Sequence, residues 1–264
     1  MLYRRLYQII ASSFILASAL HTVSAQAIPF NSAIHINGTV SLDTINSTLP
    51  SGIAGIVGSI SITTAGTYNG TLFEFFTETS SNPITQALTD IDDNLAIHFL
   101  VAGAFNDRPM QQILFGDYTL VLSNSSVTDT FEIVLGVSVV QNVDATGPDA
   151  FVIGELRIED PLNNPVVFAN HTRDTLNGPS DSPLSPESFS IVLAPGASIQ
   201  YDGLLSLRAG AFEIDSFYYA QLGAQISVAS VRNITQPPEP VPEPGTYLLM
   251  ALGLGALVTR RSRV

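Results

Sequence analysis

The segment FEIVLGVSV, residues 131–139, sets Phe131, Ile133, Leu135, Val137 and Val139 on one parity. A strict period of two matches the alternating side-chain directions of an extended strand, and no face of a helix. The pattern recurs along the chain. In AIHINGTVSL, Ile34, Ile36, Val40 and Leu42 alternate with His35, Asn37, Thr39 and Ser41. GIVGSISITTAGTY repeats it through Ile56, Ile60 and Ile62, FSIVL through Phe189, Ile191 and Leu193, and AQISVASV through Ile226 and Val228. TLFEFF, LAIHFLVA, YTLVLS, AFVIGELRI, PVVFA and SIQYDGLLSLRA are further strand candidates.

Turn residues separate these strands. Pro195-Gly196 suits a type II turn, and DATGPDA and EDPLNNP are further turns. HTRDTLNGPSDSPLSPES reads as a long loop that contains His171. NPITQALTDID is the one helical expectation, with Asn82 as cap before Pro83. One short helix among many strands predicts an all-β fold, an antiparallel β-sandwich or jelly-roll-like body. An N-terminal signal helix and a short C-terminal apolar helix flank it.

The first 25 residues have the three parts of a secretory signal peptide. Arg4 and Arg5 form a basic start, Ile9 to Leu20 an apolar run, and small residues then place cleavage near Ala25 and Gln26. The expected division is therefore a signal peptide over 1–25, one β-sandwich domain over 26–235, a Pro-rich linker over 236–241 and a terminal segment over 242–264. The chain has no cysteine, which excludes disulfides, zinc–thiolate sites and a cysteine nucleophile. All ten basic residues are arginine, against 23 acidic residues, for a formal charge of −13. Such a chain repels phosphate backbones, so nucleic acid is not an expected partner.

The terminal segment is the most specific part of the sequence. Prolines in QPPEPVPEP favour an extended, hydrogen-bond-free backbone. Pro242, Glu243 and Pro244 follow, then an apolar run from Gly245 to Thr259, then Arg260, Arg261 and Arg263. As a helix, that run covers roughly 22 Å at about 1.5 Å per residue, short against a bilayer core of about 30 Å. The three arginines suit retention on the cytoplasmic side. This layout resembles the PEP-CTERM sorting signal of Gram-negative bacteria. The resemblance implies an exported protein recognised near Pro242-Glu243-Pro244 by an exosortase-type membrane enzyme. It also implies an association with extracellular polysaccharide and biofilm; the signal peptide makes the Sec export machinery the expected route to the cell surface. A plain membrane anchor is the alternative reading of the same residues.

The body shows little chemistry. No G-x-S-x-G elbow occurs, and Ser138 lies mid-strand opposite in direction to Val137. His35 and His98 sit in strand patterns, and no two histidines have metal-ligand spacing. Glu155, Glu159 and Asp160 cluster near a strand end, and Glu213 with Asp215 follows another strand; a glycosidase needs two such carboxylates across a cleft. Asp90, Asp92 and Asn94 fit the first half of an oxygen-ligand calcium loop, but Leu95 and Val101 replace the glycine and glutamate it requires. A looser calcium site at Asp90, Asp92 and Asp93 is set against solvated loop charge, and no cofactor is otherwise expected. Tyr201, Phe217, Tyr218 and Tyr219 are the candidate sugar-stacking residues, or else core residues. The expected function is that of a non-enzymatic surface or matrix protein. A carbohydrate-binding module and a secreted hydrolase are the alternatives.

Overall fold

The computed structural model describes residues 30–43, 54–74, 77–78, 82–105 and 109–235. The signal peptide with its cleavage position, the Pro-rich linker and the whole terminal segment lie outside the described residues. Among the described residues there is no helix. Fourteen strands run in the order β1 (Ile34–Asp43), β2 (Ala54–Thr64), β3 (Thr67–Glu74), β4 (Thr77–Glu78), β5 (Ile84–Leu88), β6 (Asn94–Ala104) and β7 (Met110–Asn124). They continue with β8 (Phe131–Thr146), β9 (Ala150–Glu159), β10 (Pro165–Asp174), β11 (Ser180–Ser185), β12 (Ser188–Leu193), β13 (Ser198–Ala211) and β14 (Phe217–Asn233).

The strands form two seven-stranded sheets, β11-β10-β9-β13-β7-β1-β5 and β12-β8-β14-β6-β2-β3-β4. Pairing is antiparallel throughout, with β13 held between β7 and β9 and β14 between β6 and β8. The last two strands among the described residues thus lie inside the sheets. The alternation explains the layering: Phe131, Ile133 and Leu135 of β8 are buried, as are Leu114, Tyr118, Leu120 and Leu122 of β7. Both inner faces contribute to one apolar core. Each fully buried Ile, Leu or Phe there is worth about 1.5–3 kcal/mol before chain entropy is charged against it.

The sheets approach closely where a side chain is missing. A Cβ at Gly38 would stand 2.4 Å from Leu95, and one at Gly116 would stand 2.8 Å from Ile97, each across the core. Tyr118 spans the same gap by hydrogen bonding. Its hydroxyl accepts from the Ile97 N–H at 3.1 Å and donates to the Ala224 carbonyl at 2.6 Å.

Two sequence expectations are corrected. The segment expected to be helical forms strand β5, which pairs with β1 from Ile36↔Leu88 to Val40↔Ile84. Asn82 is no helix cap; its side chain accepts from the Leu42 N–H and donates to the Leu42 carbonyl. Ile84 and Leu88 are four apart, a spacing that either a helix or a strand can bury on one side, and the open edge of β1 decides for the strand. The expected long loop is a hairpin instead, with His171 inside β10 and Asp181 inside β11. Its Asn-Gly turn at Asn177-Gly178 puts Gly178 at φ +84, a value that glycine adopts without strain. Pro195-Gly196 makes the expected turn, with Gly196 at φ +69.

Candidate functional site

The residues that carry the sorting reading, Pro242, Glu243, Pro244, Arg260, Arg261 and Arg263, lie outside the described residues, as do Ala25 and Gln26. The body can be examined for chemistry directly.

The aspartate loop between β5 and β6 is an anchored turn. Both Asp93 carboxylate oxygens are engaged, accepting from the N–H groups of Ala65 at 2.7 Å, Thr89 at 2.6 Å and Asp90 at 3.0 Å. Asp90 accepts from the Thr89 hydroxyl at 2.8 Å. Asp90 and Asp93 are buried and Asp92 is exposed, so solvated loop charge describes only Asp92. Asp92 takes φ 72, and its N–H donates to the Val228 carbonyl, which ties the turn to β14. No group of three or more His, Asp or Glu able to hold a metal ion occurs among the described residues.

The carboxylates named from sequence do not converge. Glu155 and Glu159 lie on the outer face of β9, where Arg157 forms an ion pair with Glu159. Asp160 caps the following turn, accepting from the N–H groups of Leu162 at 2.8 Å and Asn164 at 2.9 Å. The Asn164 hydrogen bonds hold the Asp160 carboxyl below its usual range. Glu213 and Asp215 are exposed in the turn beyond the other end of β13. At about 3.3 Å per residue, β13 holds the Glu159 region and Glu213 more than 20 Å apart. The register brings a different acid to Glu159, since Asp202 of β13 lies directly opposite it. Linear spacing gives no sign of that pairing.

His171, Arg173 and Asp181 form a polar cluster on the β10–β11 hairpin. Asp181 Oδ1 lies 2.8 Å from His171 Nδ1 and 2.7 Å from an Arg173 guanidinium nitrogen. The Arg173 hydrogen bond keeps the Asp181 carboxyl below its usual range. Partial burial lowers the His171 pKa, and Arg173 adds to this against the opposing pull of Asp181. Charge pairing across a hairpin accounts for the cluster, and no nucleophile adjoins it in the hydrogen-bond pattern.

Two of the four aromatic candidates belong to the core. Tyr201 is 9% and Tyr218 0% exposed. The Tyr218 ring lies over Gly103 of β6, and its burial pushes the phenol pKa far up. Phe217 and Tyr219 are half-buried on the outward parity of β14. A pair not singled out in the sequence is more prominent. Phe151 of β9 and Phe212 lie with ring centroids 5.8 Å apart and planes 12° apart, both over Gly210 of β13. Register places Ile153, Arg208 and Ile113 in the next cross-strand row, and Glu155, Ser206 and Phe115 in the one after.

The comparisons with known proteins bear on the terminal segment. Residues 240–263 match the PEP-CTERM protein-sorting motif. A search of curated proteins finds no match. Among solved structures, the infectious bursal disease virus VP2 subviral particle aligns at 10% identity over 87% of this chain and 74% of that one, with a TM-score of 0.17. The Gx strain structure of the same virus aligns at 9% identity over 83% and 71%, with a TM-score of 0.15. Scores this low carry no argument about fold or function. The motif has the ordered parts read above, a Pro-Glu-Pro triplet, an apolar run and terminal arginines. Through residues 240–263 the chain bears a PEP-CTERM sorting signal, the mark of an exported protein and of processing by an exosortase, a membrane enzyme.

Proposed function

We propose that this chain is a non-enzymatic surface or matrix component, with a β-sandwich body of jelly-roll-like type delivered through the Sec route and released or attached after its tail is processed. The observation that carries the reading is the sorting motif at 240–263. In support, the body's clustered acids serve turns and ion pairs at Asp93, Asp160 and Glu159. In this reading Pro242, Glu243 and Pro244 are gripped by the processing enzyme, the Leu248 to Val258 stretch halts in the membrane, and Arg260, Arg261 and Arg263 hold the end inside. The test is the mass of the C-terminal peptide of protein taken from the host's surface and medium. A terminus near Pro244 is expected. An intact end at Val264 in the membrane fraction makes the segment a plain anchor. Glu243→Ala should leave unprocessed chain in the membrane; normal processing of that variant removes the role assigned to Glu243.

A second reading, binding of the organism's own polysaccharide, is favoured by the Phe151–Phe212 pair on the outer sheet face. Paired rings with flanking Arg208 and Glu155 offer an apolar platform with hydrogen-bonding groups beside it. Retention of the chain on host polysaccharide should fall at least about tenfold in a Phe151→Ala, Phe212→Ala variant, a loss of roughly 1.4 kcal/mol. Equal retention ends this reading and leaves the first untouched.

A further inference from the structure

Tyr118 and Tyr218 are both buried in the core, from opposite sheets, but only one of the two hydroxyls is satisfied. Tyr118 bonds the Ile97 N–H and the Ala224 carbonyl. The Tyr218 hydroxyl has no hydrogen-bond partner, although the residue is 0% exposed. Gln112 is in the same condition. It is 1% exposed, and neither its Nε2 nor its Oε1 has a partner. A buried polar atom left bare costs roughly fivefold to a hundredfold in the folding equilibrium, so such atoms are normally paired with protein groups or with ordered water.

The topology brings these atoms to one place. Gln112 lies on the inward parity of β7, between Met110 and Leu114. β7 faces β6 across the core, where Gly116 approaches Ile97 and Phe99 and the Tyr118 hydroxyl reaches the Ile97 N–H. The two strands run in opposite senses. Four residues back from Gly116 stands Gln112, and four residues on from Phe99 stands Gly103. β6 ends at Ala104 and β7 begins at Met110, so a short connection keeps these ends close. The Tyr218 hydroxyl lies directly over Gly103, where any Cβ would collide with it. The neighbouring inward positions are small. Ala209 of β13 pairs with Gln112 and Ala211 with Met110, and Ala220 follows Tyr218 on the inward parity of β14. Small side chains around polar atoms leave room that apolar packing does not fill.

We infer that Gln112 and Tyr218 hold ordered water between the two sheets. Chemistry, charge and enclosure select this occupant. The amide supplies donor and acceptor and the phenol supplies either, which gives an internal water the two to four partners it needs. Both groups are neutral, so an ion would find no countercharge from them. Both are closed to solvent, so the occupant is taken in as the sheets close. Water accepts from Gln112 Nε2 and bonds the Tyr218 hydroxyl, and a water O–H donates to Gln112 Oε1. Held this way, it joins β7 to β14 near the start of β7, as Tyr118 joins them directly farther along.

Nuclear Overhauser transfer from water to the Gln112 side-chain amide tests this in the full chain in detergent. Gln112→Met identifies that resonance by its loss. Transfer with the sign of a long-lived contact is expected in the native chain. Tyr218→Phe should reduce it at least about threefold, since the ring stays packed while one partner of the water goes. Urea denaturation supplies a second readout. Gln112→Met and Tyr218→Phe should each lower the folding equilibrium about fivefold or more. The double variant should lose less than the product of the two, because both act through the same water. No transfer to Gln112 in the native chain overturns the proposal, and coupling without transfer would mean that the two side chains bond each other directly. Two stabilised single variants overturn it as well, since they would mark polar atoms left bare.

Discussion

Single side chains do work here that parity alone does not reveal. Tyr118 occupies an inward position that any large apolar residue could fill, yet its hydroxyl serves two register partners on the opposite sheet, Ile97 and Ala224. Burial raises its pKa well above the phenol value, against a smaller opposite effect of the Ile97 hydrogen bond. Tyr118→Phe should cost about 1–3 kcal/mol, because buried backbone groups lose their partner while the apolar packing stays. Urea denaturation measures the loss. His171 supplies a pH dependence. Its folded pKa is lowered, so the unfolded chain binds a proton there more readily. Its contribution to stability is complete above the unfolded value of about 6.5 and is lost as pH falls from there toward the lowered folded value. His171→Asn should flatten the fall of the denaturation midpoint below about pH 6.5. Asp181 acts in a separate window, since its lowered pKa stabilises above the usual carboxylate range and is lost as pH falls below it.

At the scale of elements, β5 shows where local pattern stops deciding. Its burial pattern puts Ile84 and Leu88 inside and Thr85 and Ala87 outside. Five residues starting after Asn82-Pro83 carry a helix-start signature as well as this pattern. The strand follows because β1 has an edge to fill and because Asn82 holds the Leu42 backbone in both directions. Asn82→Ala should therefore cost about 1–2 kcal/mol at this corner, and a gain in hydrogen exchange confined to β5 and the adjoining half of β1 would locate it. The β5–β6 turn depends on Asp93 in the same way. Asp93→Ala strands three backbone N–H groups and should cost at least about 2 kcal/mol. Because those oxygens are already engaged, millimolar calcium should leave the thermal midpoint of the native chain unchanged, and a rise would mark a binding loop.

At the scale of the whole molecule, the order of strands matters more than their number. β14 is the last strand among the described residues and lies inside its sheet, between β6 and β8. Ending the chain before Phe217 should abolish cooperative unfolding, because β6 and β8 then lack the strand that joins them; far-ultraviolet circular dichroism with thermal melting would show it. Much of this protein was legible without coordinates. Alternation identified the β class and nearly every long strand, because a period of two is imposed by the strand itself. The sorting signal was legible because it acts as a linear address, with triplet, apolar run and arginines in sequence order. The rest depended on contacts between distant residues. Sequence spacing could not place Tyr201 and Tyr218 inside, bring Phe151 to Phe212, set Asp202 beside Glu159, or turn the β10–β11 loop into a hairpin. Those outcomes come from register between strands far apart in the chain, and register is decided only when the two sheets close over a common core.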